Sequence, residues 1–371
     1  MKRTIRAIEV LPLELELYQP FSISGGESRS VEIAVVRIEL ADGTTGLGEA
    51  APFPPYDGQT RESVLEALST AAPSLIGLDP LLSHQIHQSA RDAAPGSASA
   101  LVALEMAALD ALSRAEQVPL WRCSGAANAR LVSDLTIVAG DLDHAARSAR
   151  LARDAGFRTL KVKVGRDGLD LDQQRLEVIS SAAPDCDLLL DANGGFTGEE
   201  AHQLMLHSQA HQIPVVLLEQ PVPAEDEESM AMLTALKLVP ICADESCRSA
   251  ADAMRIAENQ LADAINIKTQ KSGYLESIRI HQVASSARLS LMIGGMVESV
   301  LSMSFSAHLA RGLGGFRWVD LDTPLFIRDH PFIGGIEFDG GSVGFDDLRF
   351  GHGVELGPTD SSWCTLAEED S

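Results

Sequence analysis

The hydrophobic pattern between positions 131 and 320 repeats one unit, a short apolar run followed by a longer amphipathic stretch. Short apolar runs are typical of strands buried on both faces, and the stretches between them have the apolar spacing of helices. Eight such repeats favour a parallel sheet that closes into a barrel. The runs predicted as strands are LTIV (135–138), TLKVKV (159–164), DLLLDAN (187–193), VVLLEQP (215–221), PICADE (240–245), AINIKT (264–269), LSLMIGG (289–295) and FRWVDLD (316–322).

The regions on either side of this repeat have different patterns. Before it, alternating apolar residues predict strands at 4–17 and 31–40, and helical spacing predicts helices near 60–76 and 98–115. Beyond position 322 the repeat is lost and glycine becomes frequent. We therefore predict an α+β domain at 1–125, a barrel domain at 126–322, and a C-terminal segment at 323–371 that packs back onto the first domain.

Composition and charge exclude several classes of protein. The 371 residues are 45% hydrophobic, enough for a large core, and no run approaches the length of a membrane span. The formal net charge of -24 argues against binding to nucleic acid or to an anionic membrane, since both need clustered lysine and arginine. The five cysteines are scattered and lack metal-ligand spacing, which fits a reducing compartment. We therefore expect a cytoplasmic protein with a small-molecule substrate.

Charged residues stand at the ends of the predicted strands, where barrel enzymes place their chemistry. Lys163, Asp191, Glu219, Asp244 and Lys268 follow one another at intervals of 28, 28, 25 and 24 residues. Each interval is about the length of one strand and one helix. We therefore expect the five side chains to surround one end of the barrel.

The three carboxylates in this series suggest a metal site. Asp191, Glu219 and Asp244 come from adjacent strands, and hard oxygen ligands that leave open positions suit Mg²⁺. The alternative is that each acid only caps the helix that follows its strand. Lys161 and Lys163 alternate with valines and so face the same side of their strand. We expect their mutual repulsion, together with the nearby metal, to lower the amine pKa values.

Several motifs together resemble the enolase superfamily, in its muconate-lactonizing subgroup. They are KxK at 161–163, DAN at 191–193, EQP at 219–221, ADES at 243–246 and NIKxxKSG at 266–273. Within that subgroup the chain is most similar to the dipeptide epimerases of the L-Ala-D/L-Glu epimerase type, on the segments PFSISGGESRS, LMIGGMVES and DLDTPL. The resemblance implies a modified (β/α)7β TIM-type barrel with an N-terminal α+β capping domain, and a homo-oligomeric isomerase.

The resemblance also implies roles for individual residues. Lys163 and Lys268 are the two acid/base residues, and one Mg²⁺ per subunit is held by Asp191, Glu219 and Asp244. The two lysines then move a proton between the faces of the α-carbon of a dipeptide's second residue. The residues implied in substrate binding are Thr136, Lys161, Gly295, Val297, Asp320 and Asp322.

Asp320 and Asp322 carry the prediction that the substrate is a dipeptide. Two carboxylates at even spacing on one strand face the same way and attract a cation such as an α-ammonium group. The alternative is that they form a turn before Thr323 and Pro324. Without that ammonium pocket, the alternatives in the subgroup are an N-acylamino acid racemase, an o-succinylbenzoate synthase or a muconate cycloisomerase. An epimerase of a cationic proline derivative is a further alternative, because it too could use these acids.

Two segments of the capping domain, 21–30 and 51–58, are implied to select the substrate's side chain. Relatives that prefer an acidic side chain carry an arginine where this chain aligns Gly25, and Glu27 lies nearby. Phe53 and Tyr56 offer an apolar wall. The sequence leaves open whether the second residue is apolar, aromatic, cationic or acidic.

Overall fold

The N-terminal part of the chain, in this computed structural model, is a three-stranded antiparallel sheet covered by helices. The structure describes residues 3–23, 26–138, 140–345, 350–359 and 361–369. The sheet is a meander of β1 (Ile5–Ile23), β2 (Gly26–Leu40) and β3 (Thr45–Ala50). The two predicted strands are therefore present, but β1 and β2 pair beyond the predicted ends. Gly25 lies outside the described residues, as does the side chain of Glu27.

Four helices follow this sheet: α1 (Pro54–Asp57), α2 (Arg61–Ala71), α3 (Ser83–Ala93) and α4 (Ala98–Ala115). Helices α2 and α4 pack on the sheet, and α3 packs against both of them. Pro73 accompanies a change from α-helix to a short 3₁₀ helix at Ala72–Leu75, so the helix predicted over 60–76 is divided. Helix α4 lies very close to β3: a Cβ added at Gly48 would be only 2.0 Å from the carbonyl oxygen of Ala103. Glycine on the strand therefore allows the helix to approach.

The middle of the chain forms one eight-stranded parallel sheet, as the hydrophobic pattern predicts. Neighbouring strands follow the order of the chain, and the backbone N–H of Asp134 donates to the carbonyl of Val319 at 2.9 Å, which joins the two edges. The strands are β4 (Leu135–Ile137), β5 (Thr159–Lys163), β6 (Asp187–Asp191), β7 (Val215–Glu219), β8 (Ile241–Ala243), β9 (Ala264–Lys268), β10 (Ser290–Gly294) and β11 (Phe316–Val319).

Helices connect each pair of consecutive strands. Seven strand-helix units followed by β11 give the (β/α)7β order, which confirms the predicted fold class. The helices are α5 (Leu142–Asp154), α6 (Leu169–Ala182), α7 (Gly198–Ala210), α8 (Glu227–Leu236), α9 (Ala250–Asn259), α10 (Thr269–Ser272) with α11 (Tyr274–Ser286), and α12 (Val300–Leu313).

The inside of the barrel has an apolar layer below a polar one. The apolar layer is a separate buried cluster made of Leu189, Leu217, Cys242, Ala264, Met292 and Trp318. Because side chains alternate along a strand, the next inward residues lie two positions further on, toward the carboxyl ends. Those residues are Asp191, Glu219, Asp244, Asn266, Gly294 and Asp320. The apolar layer thus supports a polar cluster at one end of the barrel.

After the barrel, the chain returns to the N-terminal sheet. A 3₁₀ helix at Thr323–Phe326 precedes β12 (Phe332–Gly334), β13 (Glu337–Asp339), β14 (Ser342–Gly344), β15 (Val354–Leu356) and β16 (Cys364–Glu368). Strand β16 pairs antiparallel with β1. Within the described ranges, no helix combines the length and the apolar character that crossing a membrane requires.

Candidate active site

Three buried carboxylates lie at the carboxyl ends of three neighbouring strands. Asp191 and Glu219 are the last residues of β6 and β7 and are paired in register, and Asp244 directly follows β8. Each is at most 1% exposed. The structure therefore brings together the three acids that the sequence predicts as metal ligands.

The predicted lysines contact these carboxylates directly. Lys161 Nζ lies 3.0 Å from Asp191 Oδ2 and 2.9 Å from Glu219 Oε2, so it bridges the two acids. Lys163 Nζ donates to Asp191 Oδ2 at 2.7 Å. Lys268 Nζ lies 2.7 Å from Asp244 Oδ2 and 4.0 Å from Glu219 Oε1. The amines alternate with the carboxylates around the mouth of the barrel.

The charges of these groups shift one another's pKa. Burial disfavours the ammonium form of Lys161, but attraction to Asp191, Asp320 and Glu219 outweighs burial and raises the pKa well above its usual value. Lys268 follows the same pattern, with Asp244 as its main partner, and its pKa is raised. The surrounding carboxylates by themselves therefore raise the pKa of Lys161, and the lowering expected beside a metal ion stays a prediction.

The carboxylates offer oxygens that a hard cation can use. Glu219 Oε2 lies 2.9 Å from Lys161 Nζ and Asp244 Oδ2 lies 2.7 Å from Lys268 Nζ, but neither oxygen accepts a well-oriented hydrogen bond from the described residues. Burial, followed by the charge of Asp191, raises the pKa of Glu219 to about 7. Three clustered carboxylates, two of them with an oxygen that accepts no hydrogen bond, are a ligand set that Mg²⁺ favours. The residues present therefore fit that ion.

A second set of side chains holds these acids in place. Asn266 Nδ2 donates to Glu219 Oε1 at 2.7 Å, and Lys271 Nζ donates to an oxygen of the Asp244 carboxylate and to the backbone oxygen of Asn266. Gln220 Oε1 accepts from the backbone N–H of Asp244 at 3.0 Å. Gln220 has a φ of 34°, an uncommon conformation for a residue other than glycine. The motifs EQP and KSG in the sequence mark Gln220 and Lys271, although their contacts were not predicted.

One cavity of about 220 Å³ opens above this cluster. Asp191 and Glu219 lie beneath it and are not part of its lining. The cavity is lined by Phe53, Pro55, Tyr56, Thr136, Lys161, Lys163, Asn193, Asp244, Glu245, Lys268, Gly295, Met296, Val297, Asp320, Asp322 and Thr323. Every residue that the sequence predicts in catalysis or substrate binding is therefore at its surface.

The segment after β10 forms one wall of the cavity with its backbone. A Cβ on Gly295 would lie 2.0 Å from Met303 Cε and 2.9 Å from Glu298 Oε1, so a side chain there would displace these buried neighbours. Glu298 Oε1 accepts from the backbone N–H of Met296 at 2.6 Å. A glycine and a buried glutamate together fix the path of this wall.

Acidic side chains form the wall on the side of β11. Lys161 Nζ donates to Asp320 Oδ2 at 2.7 Å, and Asp322 Oδ2 accepts from the backbone N–H of Thr136 at 2.5 Å. Burial and the charge of Asp320 raise the pKa of Asp322 to about 7. Asp322 also begins the 3₁₀ helix at Thr323–Phe326, so the turn that was the alternative interpretation is present as well.

Two further acids, the buried Asp134 and the half-buried Glu245, belong to this region and had no predicted role. Asp134 lies beneath Asp320 and Asp322, and Glu245 lines the cavity beside Asn193, whose Nδ2 donates to it at 3.2 Å. Burial raises the pKa of Glu245 to about 7. Glu245 is part of the ADES motif. Asp134 stands two positions before Thr136, so in extended backbone the side chains of Asp134 and Thr136 point to the same face.

Two family models together cover most of the chain. Residues 6–125 match the mandelate racemase/muconate lactonizing enzyme N-terminal domain, and residues 144–360 match the enolase C-terminal domain-like family. The chain is 44% identical over 364 residues to an aromatic dipeptide epimerase of Herpetosiphon aurantiacus. The alignment covers 96% of this chain and 100% of that protein.

Solved structures agree with this match. A mandelate racemase/muconate lactonizing protein from Herpetosiphon aurantiacus superposes with a TM-score of 0.93 at 43% identity, covering 96% of this chain and all of that one. A dipeptide epimerase from Enterococcus faecalis V583, complexed with Mg and L-Leu-L-Tyr, superposes with a TM-score of 0.91 at 29% identity over 95% of this chain and 99% of that one. The chain therefore belongs to the enolase superfamily, in the muconate-lactonizing subgroup, and within it to the dipeptide epimerase family of isomerases.

Proposed function

We propose that the chain inverts the α-carbon of the second residue of a dipeptide by moving one proton between two lysines. The observation that carries the proposal is the placement of Lys163 and Lys268 on strands β5 and β9. These strands stand four positions apart in an eight-stranded barrel, so the two amines enter the cavity from opposite sides. The relatives bearing the name of dipeptide epimerase support this assignment.

In this proposal each lysine serves one face of the α-carbon. The neutral amine of one lysine takes the α-proton and becomes an ammonium group, while the ammonium group of the other lysine gives a proton to the opposite face and becomes neutral. The C–H bond broken on one face is replaced by a C–H bond on the other, and no redox cofactor is needed. The two roles exchange when the reaction runs in the other direction.

Asp191, Glu219 and Asp244 are the residues we assign to one Mg²⁺ per subunit. When bound, the ion supplies positive charge that stabilises the enediolate formed from the substrate carboxylate. Lys161, which is 2% exposed, keeps a fixed positive charge at the base of the cavity and supports the same enediolate. A divalent cation on these carboxylates would also oppose the rise in the pKa of Lys268, which favours its action as a base.

The remaining assigned residues bind the rest of the dipeptide. We assign Asp320 and Asp322 to its α-ammonium group, and Thr136, Gly295 and Val297 to the walls around the peptide unit. An N-acylamino acid, a muconate or a succinylbenzoate precursor has no ammonium group to offset these buried acids, which favours a dipeptide over those alternatives. Phe53, Tyr56, Met296 and Val297 favour an apolar or aromatic side chain on the second residue.

Three further assignments extend the proposal. We place the division of the chain at 1–125, 126–322 and 323–371, with segments 21–30 and 51–58 selecting the substrate side chain. We also assign the protein to the cytoplasm, with no nucleic-acid or membrane partner. Finally, we assign it a homo-oligomeric state.

Deuterium exchange tests the proposed reaction. A panel of L-Xaa-L-Xaa dipeptides is incubated with the enzyme and Mg²⁺ in D₂O and analysed by mass spectrometry and chiral chromatography. We expect one deuterium at the second residue, together with inversion, fastest for apolar or aromatic side chains and lost in EDTA. Lys237→Ala, which removes an exposed lysine outside the cavity, is the matched control and should keep full activity. Exchange at the first residue, or none with any dipeptide, would contradict the proposal.

A further inference from the structure

Asp134 is a buried carboxylate that the proposed reaction does not use. It is 1% exposed, and neither of its carboxylate oxygens has a hydrogen-bond partner among the described residues. Its backbone N–H joins the barrel edges by donating to Val319, but this contact would form with any residue other than proline. A buried carboxylate without a partner is costly and therefore unusual in a folded protein. Its structural contacts do not explain why the residue is an acid.

Asp134 is one of three acids that converge on one point. Carboxylate oxygens of Asp134, Asp320 and Asp322 lie within 4.8 Å of one another, and all three residues are buried. Oδ1 of Asp322 also lacks a hydrogen-bond partner. The unpartnered oxygens thus belong to a cluster whose upper two members line the cavity.

The cluster contains more negative charge than its neighbours offset. Among the described residues, Lys161 is the one lysine that forms an ion pair with Asp320, at 2.7 Å, and it is shared with Asp191 and Glu219. Across the described part of the chain, no lysine, arginine or histidine forms an ion pair with Asp134 or Asp322. Burial, followed by the charges of Asp320 and Asp322, raises the pKa of Asp134 well above its usual value, and a cation bound at the cluster would lower that pKa again and favour the ionised carboxylate. One more positive charge would therefore offset the excess negative charge of the cluster.

We propose that Asp134, Asp320 and Asp322 form a single three-carboxylate cation site, in which Asp134 sets the preference for substrates with a free α-ammonium group. This inference rests on the proposed dipeptide epimerase function and adds a specificity-determining residue below the two acids already assigned. Asp134 does not line the cavity, so it acts on the ammonium group through its charge. An N-acylated substrate brings no charge to this wall and gains nothing from Asp134.

The test compares one dipeptide with its N-acetylated form. The dipeptide that exchanges fastest in the D₂O screen is used, and kcat/KM for α-proton exchange is measured for both compounds with the wild-type chain and with Asp134→Asn. Asparagine has nearly the same shape but no charge. Because both substrates are measured on one enzyme sample, the ratio of the two values does not depend on how much of the variant is folded.

We expect Asp134→Asn to lower the preference for the free dipeptide by about 10- to 100-fold, the effect of one unit charge at several ångströms in a partly buried site. The loss should appear in KM, with kcat changed by less than about threefold, because the reacting atoms are not touched. Asp110→Asn removes another fully buried carboxylate, on α4 in the N-terminal domain, and should leave the ratio unchanged.

Each contrary result has a distinct meaning. An unchanged ratio in Asp134→Asn, with exchange intact in the wild-type chain, would overturn this inference and leave the proposed function standing. No exchange by the wild-type chain with any dipeptide would overturn both. Replacing Na⁺ and K⁺ by tetramethylammonium should not change the rates. A strict need for Na⁺ or K⁺ would assign the cluster to an inorganic cation and overturn the role for substrate ammonium.

Discussion

Lys161 holds together the most charged part of the barrel, and replacing it with methionine should destabilise the protein strongly. Its amine lies 2.7 Å from Asp320, 2.9 Å from Glu219 and 3.0 Å from Asp191, and the side chain is 2% exposed. Methionine keeps a similar volume but removes the charge. Three buried carboxylates then lose the cation that they share.

The size of this effect follows from the burial. Removing one partner of a buried ion pair typically costs about 3–5 kcal/mol, because the other charge is left unpaired in a low dielectric. A chain of 371 residues has an unfolding entropy of roughly 0.8 kcal/mol per kelvin at about 2.1 cal/mol/K per residue. The melting temperature of Lys161→Met should therefore fall by about 4–6 °C. Added Mg²⁺ should recover part of the loss, because it offsets the same carboxylates.

Thermal melts followed by circular dichroism, with EDTA and with Mg²⁺, measure both effects. Lys237→Met is the matched control, since Lys237 pairs with Asp263 while its side chain remains 66% exposed. Exposed pairs contribute about 1 kcal/mol or less, so its melting temperature should change by no more than about 1 °C. If Lys161→Met melted as high as Lys237→Met in EDTA, the reasoning from the buried charge cluster would be refuted.

Three other variants test separate features of the site and the fold. Gly295→Ala places a Cβ 2.0 Å from Met303 Cε, so either the buried Met303 side chain or the wall after β10 must shift. We expect a shift of this wall and a fall in kcat/KM of at least about tenfold, and unchanged steady-state kinetics would contradict this. Asp322→Asn should raise KM for dipeptides about 10- to 100-fold while Mg²⁺ still raises the melting temperature; unchanged dipeptide kinetics would argue against the ammonium site. Burial lowers the pKa of His308 from 6.5 to about 3. Below pH 6.5 the unfolded chain therefore binds a proton at this ring that the folded chain does not bind. The folded state is most stable above pH 6.5 and loses this stability as the pH falls toward 3. Urea unfolding between pH 4 and 7 should therefore show a weaker pH dependence for His308→Gln, and an equal slope would refute the role of the buried ring.

The sequence was informative about the barrel because one physical rule governs each of its repeats. A strand buried on both faces must be short and apolar, and a helix that covers it must be amphipathic, so all eight predicted strands are present. The regular spacing from Lys163 to Lys268 placed five charged residues at one end of the barrel, where the structure has them.

Features that depend on distances between separate strands could not be predicted from the pattern. Asp134 precedes the predicted strand by one residue, and only the pairing of the barrel edges places it under Asp320 and Asp322. The direction of the pKa shift of Lys161 depends on how many carboxylates reach its amine, a number that spacing along the chain does not contain. The extension of β1 to Ile23 is set by pairing with β2 rather than by its own apolar residues.

The placement of one lysine on each side of the substrate's α-carbon is tested most directly by exchange in the two single-lysine variants. Lys163→Ala and Lys268→Ala are each given the L,L and the L,D form of the best dipeptide in D₂O with Mg²⁺, and deuterium at the second residue is followed by mass spectrometry. Each variant should exchange the α-proton of only one epimer without inverting it, and the two variants should act on opposite epimers. Exchange of the same epimer by both variants, or continued inversion by either, would contradict the two-sided arrangement.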